Sequence, residues 1–186
     1  MVKLRAKCIL VGDAAVGKSA LSQMFRSDGS HFQKNYSMTA GVEVLTRTVH
    51  IPDTSDGVEL FIFDSAGKGV FLEACEKLWE QPAVLCLVYD ISSEQSFQNC
   101  GQWLERVRGH SQGQHVPGVL VGNKTDLAAR REVESGLAQE WAESQGLEYC
   151  ETSAKEVENC EAPFLILAQV FHQLYQDRLQ AIQALA

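Results

Sequence analysis

Short apolar runs alternate along the chain with segments of helical spacing, and each apolar run ends in a polar or glycine-rich turn. Leu4 to Val11 reads as a buried strand, followed at once by a glycine loop from Gly12 to Gly17 and a helix from Lys18 to about Ser27. Gly41 to Ile51 alternates apolar and polar residues. Pro52 to Gly57 then turns the chain into Val58 to Phe63, the pattern of an antiparallel hairpin. Further strands are predicted at Val84 to Tyr89, Val119 to Val121 and Leu147 to Cys150, with helices near Ser92 to Arg108, Arg131 to Gln145 and from Ala162 towards the end. Strand and helix in alternation require parallel crossovers and a sheet covered on both faces. The expectation is one three-layer α/β domain: a six-stranded, mostly parallel sheet with one antiparallel edge strand and about five helices.

Composition narrows this picture. With 186 residues, 45% of them apolar and 22% charged, the chain has the mix of a soluble globular domain, and no apolar stretch reaches membrane-spanning length. The start, Met1 to Val11, has too short an apolar run for a signal peptide. A formal charge of −8, with the acids concentrated beyond residue 126, makes nucleic acid and an anionic membrane poor partners. The six cysteines (Cys8, Cys75, Cys86, Cys100, Cys150, Cys160) show no C-x-x-C spacing and mostly sit among apolar neighbours, which fits reduced thiols in a cytosolic setting. The five histidines (His31, His50, His110, His115, His172) have no ligand spacing and receive no role.

Gly12-Asp13-Ala14-Ala15-Val16-Gly17-Lys18-Ser19 fits G-x-x-x-x-G-K-[ST] between a predicted strand and a predicted helix, which is the context the motif requires. The glycines let the backbone turn with its N–H groups inward, a cradle for phosphate oxygens at the start of the helix that continues through Ala20. Lys18 would sit between the β- and γ-phosphates, and the Ser19 hydroxyl would bind Mg²⁺. A dinucleotide-binding dehydrogenase is excluded, because the loop lacks G-x-G-x-x-G.

The strand at Val119 runs into Gly122-Asn123-Lys124-Thr125-Asp126. A carboxylate there can accept from both N1–H and the exocyclic amine of guanine, a donor pair adenine does not present. Asp126 is the candidate, with Asn123 tethering the loop and the Lys124 stem covering the base. A second base-side segment follows the last strand, Glu151-Thr152-Ser153-Ala154-Lys155, where N–H groups around Ser153 and Ala154 would meet the guanine O6 and the Lys155 stem would pack beside the ring.

With these residues in place the chain resembles a Ras-superfamily small GTPase, and over residues 3 to about 176 the Rab branch. The resemblance implies a P-loop small G domain over 1–176, a short helical extension over 177–186, and GTP or GDP with Mg²⁺ as ligands. It also implies that Thr39 is a first-switch Mg²⁺ ligand, that Asp64 holds the metal through water, and that the Gly67 N–H meets the γ-phosphate. Stretches such as His31-Phe32-Gln33-Lys34-Asn35-Tyr36, Lys77-Leu78-Trp79-Glu80 and Val84 to Asp90 look like the Rab-like subunits of the intraflagellar transport B particle. That likeness implies a protein-complex subunit of cytoplasm and cilium, with intraflagellar transport protein 25 as its heterodimer partner.

Two departures from the family stand out. Where the second switch usually carries a glutamine that orients the attacking water, this chain has Lys68. Lysine only donates, so it cannot line up that water. The loss is typically worth about 10² to 10⁴ in rate, in a family whose Ras-type members hydrolyse on the order of 10⁻⁴ per second unaided. Lys68 either contacts the γ-phosphate and prolongs the loaded state or is a solvated charge on the switch loop. Ala14 and Ala15 stand where active members allow glycine or serine, and their methyls would crowd an incoming catalytic group. The function expected is therefore a regulatory and structural subunit with slow hydrolysis. The alternatives are a cycling GTPase dependent on an external activating protein and a nucleotide-loaded scaffold.

The last helix should pack Phe164, Leu167, Phe171 and Leu174 on the sheet, while Tyr175, Leu179 and Ile182 continue an apolar row suited to partner docking. Membrane-cycling Rabs carry prenylatable cysteines at their ends. The sequence here ends Gln183-Ala184-Leu185-Ala186, so a direct lipid anchor is not expected.

Overall fold

The computed structural model describes residues 1–27, 41–67 and 72–185. Its strands are β1 (Lys3–Val11), β2 (Val42–His50), β3 (Gly57–Ser65), β4 (Val84–Asp90), β5 (Gly118–Asn123) and β6 (Leu147–Glu151). They form one sheet in the order β2-β3-β1-β4-β5-β6. The β2–β3 hairpin is antiparallel and every other pairing is parallel, so β2 is the antiparallel edge strand.

Six α-helices accompany the sheet among the described residues: α1 (Lys18–Arg26), α2 (Leu72–Glu76), α3 (Glu94–Gln98), α4 (Cys100–Gly109), α5 (Ser135–Ser144) and α6 (Ala162–Ala184). A 3₁₀ turn occupies Thr125–Arg130. The helix expected from Ser92 to Arg108 is divided in two at Asn99. That residue keeps near-helical dihedrals (φ −74°, ψ −12°) while its side chain leaves the helix for the phosphate loop. The Ser93 hydroxyl accepts from the Ser96 N–H and starts α3 two residues later than the pattern suggests.

Every residue of β4 and β5 is buried, as central parallel strands covered on both faces must be. Period-two alternation deals their side chains to two cores. Cys8, Leu10, Val84, Cys86 and Val88 join Leu21, Phe25, Phe164 and Leu167 on the face covered by α1 and α6. Ile9, Val11, Leu85, Leu87 and Tyr89 join Trp79, Trp103, Leu104 and Ala138 on the other, under α2, α4 and α5.

Helix α6 is fastened at two levels. Phe164 stacks on Phe25 at 4.2 Å, and Arg47 of β2 lies 4.6 Å over the Phe25 ring while pairing with Glu161 at 3.0 Å. Two turns beyond Phe164, buried His172 places Nε2 3.0 Å from Asp56 Oδ2 in the β2–β3 turn, and the other carboxylate oxygen of Asp56 accepts from the Val2 N–H at 2.7 Å. Beyond this the helix emerges: Tyr175 and Leu179 are half-buried and Ile182 is 64% exposed. All six cysteines are free thiols, five of them buried, and burial pushes Cys8 up to about 12.

Candidate functional site

The site lies at the carboxyl ends of β1, β3, β4, β5 and β6, where three loops meet. β1 delivers Gly12 (φ 152°), and the following turn carries Ala15 (φ 64°) and Gly17 (φ 97°) in left-handed backbone. A methyl on Gly12 would stand 2.2 Å from the Val88 carbonyl oxygen, and one on Gly17 would stand 2.3 Å from Asn123 Nδ2. Both positions therefore demand glycine, for space as well as for φ. Ala15 holds its left-handed turn at a cost of roughly 1–2 kcal/mol, strain of the kind found where a loop is shaped for a ligand.

Lys18 opens α1 and folds back over the loop, its ammonium donating to the carbonyls of Gly12 (2.8 Å) and Asp13 (2.6 Å). It is only 6% exposed, and burial pulls it down to about 8 against the restoring charges of Asp64 and Asp13. The next residue, Ser19, donates its hydroxyl to Asp64 Oδ2 at 2.5 Å. Asp64 is buried at the end of β3; burial raises it to about 6, with the Ser19 hydrogen bond and the Lys18 charge pulling the other way. Its second oxygen, Oδ1, is buried with no hydrogen-bond partner among the described residues. A buried carboxylate oxygen beside a serine hydroxyl is a hard-oxygen donor set of the type Mg²⁺ takes.

Gly67 closes this side: a methyl there would meet Ala14 N at 2.4 Å and the Asp13 carbonyl carbon at 2.6 Å. The end of β3 is thus pressed against the phosphate loop. Ala20 lies on the inner face of α1 and packs into the first core. Thr39 and Lys68 lie outside the described residues.

The third wall is built by β5 and β6. Asn123 Nδ2 donates to the Val16 carbonyl at 2.9 Å, and its Oδ1 accepts from the Thr152 hydroxyl at 2.9 Å. Lys124, at left-handed φ 68°, reaches back to the Ala15 carbonyl at 2.6 Å and pairs with Asp90 Oδ2 at 3.0 Å. Asp126 Oδ1 accepts from the Ser153 hydroxyl at 2.6 Å, which joins the two base-side segments directly. Ser153 and Ala154 are buried, and Lys155 is exposed. Gly12 to Ser19, Asp64, Gly67, Asn123, Lys124, Asp126 and Ser153 are therefore joined through these contacts, and Ala154 follows Ser153 into the first core.

Several residues brace this site in ways that no motif specifies. Asp90 anchors Lys124 and also accepts from the N–H and hydroxyl of Ser92. Thr152 orients Asn123. Beneath the base loops, the Tyr89 and Tyr149 hydroxyls meet at 2.8 Å, Tyr149 donates to Glu151 at 2.7 Å, and Glu151 takes a two-pronged pair from Arg131 at 2.8 and 2.9 Å. The Arg131 hydrogen bonds, and secondarily the one from Tyr149, hold Glu151 below the usual carboxylate range against its burial. Gly122 makes the room: a methyl there would lie 2.7 Å from the Tyr89 hydroxyl.

A six-stranded sheet with one antiparallel edge strand, a phosphate loop after β1 and base-side turns after β5 and β6 are the marks of a G domain. The chain belongs to the Ras family, whose family model matches residues 7–173, and it is a Rab-like small GTPase. Within that family it is 63% identical over 185 residues, the full length of both chains, to the intraflagellar transport protein 27 homolog of Bos taurus. It is 42% identical over 184 residues, 97% of this chain and 90% of the relative, to intraflagellar transport protein 27 of Chlamydomonas reinhardtii. The human Ras-related protein Rab-30 is 39% identical over 162 residues, 87% of this chain and 77% of the relative.

Proposed function

We propose that this chain binds GTP and GDP with Mg²⁺ and serves as the Rab-like GTPase subunit of an intraflagellar transport B particle, in cytoplasm and cilium, paired with intraflagellar transport protein 25. The observation that carries the nucleotide reading is the direct linkage of Asn123 and Lys124 to the carbonyls of Val16 and Ala15. It supports a reading in which Asp126 would select guanine at a fixed reach from a loop that would cradle phosphate. The transport reading is supported by identity to intraflagellar transport protein 27 homologs over the whole chain.

In this reading the loop N–H groups and Lys18 bind the β- and γ-phosphates, while Asp126 and the Ser153–Ala154 segment select guanine. Ser19 and Asp64, with Thr39, would hold Mg²⁺, which when bound supplies positive charge to the phosphate oxygens. Lys68 replaces the water-orienting glutamine, so unaided hydrolysis is slow and the loaded state is long-lived.

Nucleotide affinity with and without Mg²⁺ tests the first part: GTP and GDP should bind and adenine nucleotides should not compete, and competition by ATP would overturn the base assignment. Single-turnover hydrolysis by wild type beside Lys68→Gln tests the second, with equal rates contradicting the role given to Lys68. Co-purification of the tagged full chain with transport-particle subunits tests the third; a chain that leaves those subunits behind is not a member.

A further inference from the structure

The second residue of the phosphate loop is held from a part of the chain that no loop motif includes. Asp13 Oδ1 accepts from Trp103 Nε1 at 2.8 Å, and Asp13 Oδ2 accepts from Asn99 Nδ2 at 2.7 Å. Each carboxylate oxygen thus has its own donor. Both donors come from one face of the helical segment around α4, one turn apart, and the backbone N–H of Trp103 donates to the Asn99 carbonyl at 3.2 Å.

Neither donor is adjustable. The Trp103 ring is 7% exposed in the second core, so the core decides where its N–H points. An indole N–H can only donate, and a buried one needs an acceptor. Gln95 Nε2 donates to Asn99 Oδ1 at 3.0 Å, which turns the Asn99 amide so that its Nδ2 faces Asp13.

The backbone of Asp13 is equally constrained. Its carbonyl accepts from the Lys18 ammonium at 2.6 Å, and the Asp13–Ala14 peptide lies against Gly67. A carboxylate beside a polyphosphate site is a hazard on two counts. It repels the ligand, and it can turn to Lys18 and neutralise the cation the phosphates need. Two charge-assisted hydrogen bonds from outside the loop remove both dangers by occupying the carboxylate and turning it towards α4.

We propose that Asn99 and Trp103 are positioning residues for the phosphate loop, acting through Asp13 to keep Lys18 and the Asp13–Ala14 peptide available to a nucleoside di- or triphosphate. The proposal rests on the nucleotide-binding reading above and adds to it two residues that act without touching ligand. It also makes the α3–α4 segment a place from which nucleotide retention can be altered at a distance from the cradle.

The test is release of N-methylanthraniloyl-GDP from the full-length protein, chased with excess GDP. Trp103→Phe and Asn99→Ala should each speed release on the order of tenfold, the effect of losing one hydrogen bond to a charged group. In an Asp13→Ala background neither should add anything further, because their route to the loop is gone. Trp141→Phe, which alters an indole set edge-on to Phe97 at 5.7 Å and away from the loop, should leave release unchanged. Faster release on Trp103→Phe that persists in the Asp13→Ala background, or that Trp141→Phe reproduces, would show that the ring acts by packing and would overturn the proposal. Asn99 is partly exposed, so its variant folds even if the tryptophan variant does not, and wild-type release from Asn99→Ala would also sink the idea. A wild-type protein that binds no fluorescent GDP would refute the nucleotide reading itself, an outcome distinct from bound nucleotide with unaltered release.

Discussion

Asn123 Nδ2 donates to the Val16 carbonyl oxygen at 2.9 Å, so the turn that would recognise the base is bolted to the loop that would hold the phosphates. The same asparagine accepts from Thr152, and its neighbour Lys124 grips the Ala15 carbonyl. Three loops from distant parts of the chain therefore share one residue as their junction. The spacing between the two loops proposed to hold phosphate and base is fixed by this contact as well as by each loop.

Asn123→Ala leaves the Thr152 hydroxyl and the Val16 carbonyl without their partner in a buried setting. Each such loss costs about 1–3 kcal/mol. Guanine-nucleotide affinity should fall by roughly two orders of magnitude, more than the melting temperature of the empty protein would suggest. Calorimetric titration with GDP checks this, and an affinity within threefold of wild type would contradict it.

The buried Lys18 ammonium, drawn down to about 8, gives nucleotide binding a pH dependence. Above that pH the empty protein has lost a proton that phosphate oxygens would hold in place. Binding must then take the proton up, and affinity should fall by up to about tenfold per pH unit. For the empty fold the sign is opposite. Its lysine binds fewer protons than the unfolded chain between about 8 and the ordinary lysine value of 10.5, so stability rises with pH across that window. Titrations from neutral to alkaline pH should show the affinity loss, and Lys18→Arg, which stays charged, should abolish it.

Glu151 behaves as a structural carboxylate. Arg131 and Tyr149 hold it below its ordinary value of 4.5, so its contribution is complete above that pH and is lost as pH falls through the lower folded value. Glu151→Gln should cost about 1.5–3 kcal/mol at neutral pH, the worth of hydrogen bonds to a charged group, and should flatten the acid limb of the stability curve. Urea unfolding at neutral and at acid pH measures both effects. A variant whose deficit is the same at both pH values would contradict the assignment.

Truncation after Gln176 removes the emergent end of α6 and leaves its buried residues, Phe164, Leu167, Ala168 and His172, in place. The unfolding midpoint should move by less than about 2 °C. If the exposed row through Ile182 docks a partner, capture of that partner by the truncated chain should be lost at the same time. Undiminished capture would remove the docking role.

The strands, the phosphate loop and the two base-side turns were legible without coordinates because each is specified locally. Short apolar runs define β1 and β4, and alternation of apolar and polar residues defines β2. Gly12 and Gly17 are required by backbone space and φ, and Lys18 and Ser19 follow at fixed spacing. The apolar spacing after β4 continues through Asn99 and so predicts a single helix there. Its division there accompanies the contact of that side chain with Asp13, which lies in a different part of the chain.

What the chain's order of residues determined by itself, then, is the fold class and the list of groups that could face a nucleotide. What only the tertiary structure decided is who holds those groups in place: Asn99 and Trp103 on Asp13, Asp90 on Lys124, Thr152 on Asn123, Arg131 and the tyrosine pair on Glu151, and Asp56 on His172. The physical reason is range. Backbone conformation and apolar periodicity are encoded within a few neighbouring residues, whereas a hydrogen bond between side chains requires two elements to pack within a fraction of an ångström of the right register. No motif records that.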